Sequence, residues 1–280
     1  MTRQFLQPRL TISTINNSCK KQFVYVGVLA IGLFANSIMA QTPPKSGDAT
    51  LSTIAIEASE FLEWNQTDGT YIAKGSAYVK QDQASIKAEH IVAHYALGGE
   101  SRDITRVVAS GAVTYVEGEN TAKGEKLEYD LITKLYVLTG KNISVTSPRG
   151  MLAANKSITY DSTNLNNLKV TAIGEARYKN TNGSNIFGNR LIAFIASDGA
   201  LKTIDAYDNT KVITAKGTIA TSDKLNYVAK TSLANLNGNV EILDKGNIMR
   251  GARAEIDFDK EISKILSSPS GKRVSGTLTP

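Results

Sequence analysis

The chain is poor in the residues that carry most catalytic and cross-linking chemistry. Cys19 is the single cysteine in 280 residues, so no disulfide can form within one molecule. Only two histidines are present, His90 and His94. They stand four apart in "AEHIVAHY", which on a helix would place two imidazoles on one face. In a strand the same spacing separates them by about 13 Å, too far to grip one ion, and we read them as solvated strand residues. The H-E-x-x-H order of zinc proteases is absent, because Glu89 precedes the first histidine. No nucleophile elbow, phosphate loop or dinucleotide fingerprint occurs. "DFDKE" at residues 257–261 lacks the glycine turn and ligand spacing of a calcium loop and reads as a charged strand end. No catalytic residue, metal ligand or cofactor is therefore assigned, and the chain is not expected to be an enzyme.

Long apolar runs are missing too. The longest, within "CKKQFVYVGVLAIGLFANSIMAQ", covers residues 23–35 and falls short of the roughly 20 residues that cross a bilayer. With Lys20 and Lys21 before it and Ala40 after it, residues 1–40 read as a signal peptide cleaved near Ala40. A retained membrane anchor is the alternative, and the long stretch before Lys20 leaves the true start codon open. Cys19 precedes the apolar run, so it is not a lipoprotein cysteine. The leader carries Arg3, Arg9, Lys20 and Lys21 and no acid. Taking these four from the 32 basic residues leaves 28 against 26 acids, a net of +2. Such a balance does not point to nucleic acid or to membrane phosphates. The expected location is the periplasm.

Helical spacing is scarce, and period-two alternation fills its place. Residues 41–50 form a polar, proline-bearing arm, and 51–280 form the folded part, in one lobe or two. "STIAIEA" puts Ile54, Ile56 and Ala58 on one face, and "RGARAEIDF" does the same with Ala252, Ala254, Ile256 and Phe258. Turn sequences such as "TDG", "SPRG", "NTNG" and "DKG" separate the runs.

One pattern recurs along the chain. An aromatic closes a strand at Tyr95, Tyr129, Tyr160, Phe194, Tyr227 and Phe258, at intervals of 31 to 34 residues. Two positions before each stands an apolar residue: Ala93, Leu127, Ile158, Ile192, Leu225 and Ile256. About 20 residues before each aromatic, a glycine or asparagine (Gly75, Gly111, Gly140, Gly174, Asn209, Gly238) is taken to open the unit, and Gly271 to begin a further one. Ankyrin and tetratricopeptide arrays share this period but need helical faces that are absent here. The predicted fold is all-β, built from stacked antiparallel strand pairs. Apolar residue and aromatic share parity and should face one interior. The residues between them, His94, Glu128, Thr159, Asn226 and Asp257, should face water, with Ala193 the exception. The aromatics serve as core filler or as ligand lining, which are not exclusive roles.

The stretch from Ile54 to Tyr95 resembles the opening of OstA-like proteins, in particular the LptA-type lipopolysaccharide carriers. It has an I-x-I-x-A strand (Ile54, Ile56, Ala58), a "YIAKGSAYVKQ" strand at 71–81, and a second strand running from the Ala88–Glu89 pair to Tyr95. "NGNVEILDKGNIMRGARAEIDFD" repeats the pattern, and the likeness spans about 51–262. It implies a twisted β-jellyroll, V-shaped and open at both ends, that holds lipid A acyl chains. It also implies head-to-tail self-assembly and contacts with OstA-like components of the inner- and outer-membrane complexes. The lipid-lining candidates are Tyr95, Leu127, Tyr129, Ile158, Tyr160, Ile192, Phe194, Leu225, Tyr227, Ile256 and Phe258. Ile54 and Ile56 at one end, and Ile262, Ile265 and Val274 at the other, are the candidate edges for strand addition. A membrane-tethered component of the same machinery, an exported β-solenoid adhesin and a polysaccharide-active enzyme are the competing readings.

Overall fold

In a computed structural model, residues 54–98, 102–268, 271 and 273–278 are described. The leader, its cleavage point and the arm at 41–50 lie outside them. Among the described residues eighteen strands form one sheet, and every pairing is antiparallel between neighbours in the chain or near-neighbours. The result is a meander bent along its middle, each long strand giving one half to wall A and the other to wall B.

The first rung is split into β1 (Ile54–Glu57) and β2 (Phe61–Asn65), which pair with the two ends of β3 (Thr70–Gln81). β4 (Ala84–Tyr95), β5 (Ile104–Glu117) and β6 (Asn120–Asp130) follow as long hairpins. The next two rungs are split again. β7 (Leu135–Thr139) and β10 (Ser157–Asp161) lie in wall A, and β8 (Ile143–Ser147) and β9 (Gly150–Ala154) in wall B. Long strands resume with β11 (Leu168–Asn180), β12 (Asn185–Ile195), β13 (Leu201–Ile213), β14 (Ile219–Val228), β15 (Leu233–Asp244) and β16 (Asn247–Asp257). β17 (Ile262–Leu266) and β18 (Ser275–Thr277) pair side by side along one edge of β16 as the last rung.

The bend has a specific cause. β3, β5, β11, β13 and β15 each carry a bulge where consecutive residues enter the left-handed region, as at Gly75–Ser76, Gly111–Ala112 and Gly238–Asn239. The bulge turns the strand from one wall into the other. The same backbone bonds recur at separate bends: Ser59 N donates to Gly75 O at 2.7 Å, and Asn155 N to Gly174 O at 2.7 Å. Glycine holds the first bulge position in four of these strands, and Asp208 (φ 60°) holds it in β13. At Gly111 (φ 83°) an added Cβ would lie 2.6 Å from Glu89 Cβ on the neighbouring strand. Gly75, Gly111, Gly174 and Gly238 thus stand in mid-strand at the fold line and Gly140 between β7 and β8; they do not open the repeat.

Around each bulge the inward residues step by four, as in Ala73–Ala77, Ala109–Val113, Ala172–Ala176 and Leu236–Val240, all buried. Strands without a bulge cross the bend with a step of three, as in Ala88–Ile91 and Ser222–Leu225. Small side chains prevail at the fold line because the two walls meet there most closely. The buried residues form one continuous cluster from Ala73 to Phe258.

Parity holds as expected in five of the units and fails in the unit built on β12. There Leu191, Ala193 and Ile195 pair across to Ala206, Ile204 and Leu201 on the core side. Ile192 and Phe194 pair with Asp205 and Thr203 and with Thr171 and Lys169, on the outer face. The true anchor of this unit is Ile195, which is fully buried, and the adjacent aromatic had drawn the alternation one residue out of step.

Candidate functional site

Between the walls at the N-terminal end lies a cavity of about 550 Å³. Wall A contributes Leu62, Trp64, Tyr71, Ile91, Val107 and Tyr129, and wall B contributes Ile54, Ile56, Val79, Ile86 and Tyr115. The lining is apolar apart from rim groups at Glu63, Arg102 and Asp103 and the polar Gln81 and Ser85. Ile54, Ile56, Leu62 and Trp64 carry inward parity yet remain 38–57 % exposed. The reason is topological: β1 and β2 pair only with β3, so among the described residues no further rung covers them.

Aromatic side chains organise the wall A side. Trp64 lies on Tyr71 with ring centres 5.9 Å apart, and Tyr71 lies 5.1 Å from Tyr95. The Trp64 indole N–H donates to the Tyr95 hydroxyl at 2.9 Å, which satisfies the polar tip of each ring. Further along, Tyr129, Tyr136 and Tyr160 form a second group, with Tyr136 and Tyr160 centred 5.5 Å apart. In wall B the Tyr115 hydroxyl donates to the carboxylate of Glu117, two residues on along β5, at 2.9 Å. Burial, with the nearby Glu117 charge, pushes the Tyr115 phenol far above its ordinary range, so it stays protonated. Beyond this group lie small voids of about 30 and 40 Å³ between the walls.

The eleven sequence-derived lining residues therefore divide. Tyr129 lines the cavity. Tyr95 packs behind Tyr71 at its edge. Leu127, Ile158 and Tyr160 line the small void behind the tyrosines. Leu225, Tyr227, Ile256 and Phe258 lie in the closed core of the C-terminal half, where Tyr227 and Phe258 stack 5.2 Å apart. Ile192 and Phe194 are corrected to the outer face by the register of β12. Among the edge residues Ile54, Ile56, Ile262 and Val274 are exposed, whereas Ile265 packs partly against the core.

The repeat anchors all belong to wall A, so the whole wall B lining went unread, as did Trp64, Tyr71 and Arg102. A signal for wall B did exist in the inward alternation Val79 in "AYVK" and Val113–Tyr115 in "VTY". Arg102 sits in a connection with no period, and no sequence signal marks it.

The outer faces hold ordinary surface chemistry. Glu128 meets Lys126 and accepts from Arg106 at 2.5 Å, and these two cations hold its carboxyl below the usual range. Asp257 accepts from the backbone N–H groups of Asp259 and Lys260, a turn at the end of β16. His90 and His94 alternate with the cavity residues Ile91 and Ala93 and pair across to Lys74 and Ser110, and to Thr70 and Arg106. Among the described residues no group of three histidine, cysteine or acidic side chains could hold a metal, and no helix is long and apolar enough to cross a membrane.

A family model described as LptA/(LptD N-terminal domain) LPS transport protein matches residues 55–166. Among solved structures the chain is similar to LptH of Pseudomonas aeruginosa, described as the LptA homologous periplasmic component of the conserved lipopolysaccharide transport device. That similarity has 12% identity over 82% of this chain and 96% of LptH, with a TM-score of 0.23. No curated protein sequence matches the chain. The matched segment runs from the exposed first strand to just past Tyr160, and so holds the open cavity and the tyrosines behind it. Over residues 55–166 the chain is therefore similar to the LptA/LptD N-terminal domain family.

Proposed function

We propose that the chain is a lipopolysaccharide carrier that shields lipid A acyl chains from water between its two walls. One observation carries this reading: the apolar cavity of about 550 Å³ lies at the N-terminal end of the meander, where the inward-facing Ile54, Ile56, Leu62 and Trp64 lack a covering rung among the described residues. Burying an alkyl chain of about twelve carbons contributes on the order of 10 kcal/mol at about 0.8 per methylene, so shielding alone suffices and no chemistry is required. A cavity open on one side keeps part of that surface wet and lets the lipid leave again.

Location and assembly complete the proposal. The protein acts in the periplasm after export directed by residues 1–40, and no enzymatic step is involved. Its two end rungs have unpaired strand edges among the described residues, β1 and β2 at one end and β17 and β18 at the other. Strand addition between unlike edges is heterologous and yields open chains, a bridge between inner- and outer-membrane OstA-like partners. The test is native mass spectrometry of protein purified from a host with an outer membrane. Co-purified lipopolysaccharide supports the carrier reading, and protein free of lipid from such a host, and unable to take up added lipopolysaccharide, contradicts it.

A further inference from the structure

We propose that Arg102 is a headgroup site, recognising an anionic phosphate or carboxylate on an alkyl chain lodged in the cavity. This rests on the reading of the cavity as an acyl site and adds what selects its ligand.

The Arg102 guanidinium carbon lies 4.3 Å from the centre of the Trp64 ring. Contact with the indole face holds the guanidinium at the rim, while its N–H donors have no partner among the described residues. Among the described residues that line the cavity Arg102 is the one cation, and it stands exposed on the rim. Among the described residues its ring contact is its sole specific interaction, with no carboxylate paired to it. Arg106 and Arg250, also exposed, are engaged by Glu128 and Glu241, and Arg190, which likewise rests on a ring, that of Tyr207, lies away from the cavity. Glu63 and Asp103 also border the cavity, but among the described residues neither carboxylate forms an ion pair with Arg102. A planar fork of donors above an apolar floor matches an amphiphile with a singly or doubly charged oxyanion head.

Trp64 is the only tryptophan in the chain, so its fluorescence reports on this site alone. The probes are dodecyl phosphate, the uncharged dodecyl maltoside (both below their micelle concentrations) and inorganic phosphate. The full mature chain should bind dodecyl phosphate at least tenfold more tightly than dodecyl maltoside. In Arg102→Ala that ratio should fall close to one, Arg102→Lys should restore part of it, and Lys230→Ala, an exposed cation elsewhere, should leave it intact. Unchanged circular dichroism confirms that the variants fold. Equal affinity of the wild type for the two alkyl probes, or a preference that survives Arg102→Ala, overturns the headgroup site while leaving the acyl reading in place. Inorganic phosphate that binds as tightly as dodecyl phosphate also overturns it, by showing a free-anion site. If neither alkyl probe binds, the acyl reading fails and the headgroup site falls with it.

Discussion

Tyr129 and Tyr136 face each other across β6 and β7 with ring centres 4.0 Å apart and planes within 10° of parallel. Tyr129 borders the large cavity, and Tyr136 borders the small void behind it. The stack is therefore the partition between an open N-terminal chamber and a filled C-terminal half.

Removing one ring should open that partition. Tyr136 is buried, so Tyr136→Ala should cost about 3 kcal/mol in stability, within the range for deleting a buried aromatic. A shift of the urea midpoint measures the loss. A variant as stable as the wild type would show that the stack does not support the walls.

The fold line makes its own demand. Gly111→Ala combines a left-handed φ of 83° with a Cβ forced against Glu89. We expect a loss of about 1–3 kcal/mol, larger than the usual cost of an alanine on the surface. Denaturant unfolding of this variant beside Gly183→Ala separates strain from contact. Gly183 also has positive φ, but nothing lies within 4 Å of its added Cβ.

Register in β12 is tested by adjacent residues. Leu191→Asp should prevent stable folding, because Leu191 is 1 % exposed and a carboxylate there has no partner. Ile192→Asp should change the melting temperature by only a few degrees. The reverse ranking, read by thermal melts followed by circular dichroism, would restore the parity expected from sequence.

Alkaline pH should unfold the protein through its tyrosines. Burial pushes the phenols of Tyr160 and Tyr178 from the usual 10 up to about 12. A folded-state value above the unfolded one means the stabilisation is complete below pH 10 and is lost as pH rises through about 12. Absorbance of tyrosinate should lag behind free tyrosine and then rise together with loss of strand signal. Smooth titration near pH 10 with the fold intact would contradict the burial of these rings.

Much of the fold was legible because two periods overlay each other. Strand alternation and the 31–34 residue recurrence both survive in the sequence, and together they exclude helical arrays. What was lost follows from the bend. A strand that crosses the fold line reverses or preserves parity depending on whether it carries a bulge, so one alternation rule cannot cover both halves. Anchoring on the aromatics therefore read wall A and passed over Val79, Ile86 and Tyr115 in wall B. The slip at β12 had a visible warning: Ala193 was the one apolar residue among positions expected to face water. The end of the cavity at the tyrosine stack could not be read at all, since it depends on how far apart the walls stand.

The central claim is that acyl chains occupy the N-terminal chamber and stop at the tyrosine partition. A photo-crosslinking amino acid placed singly at Ile86, inside the chamber, at Val212, in the closed half, and at Thr221, on the outer face, tests it in cells making lipopolysaccharide. The account predicts crosslinked lipopolysaccharide at Ile86 and little at Val212 or Thr221. Equal crosslinking at Ile86 and Val212 would contradict it, showing that lipid runs the full length between the walls.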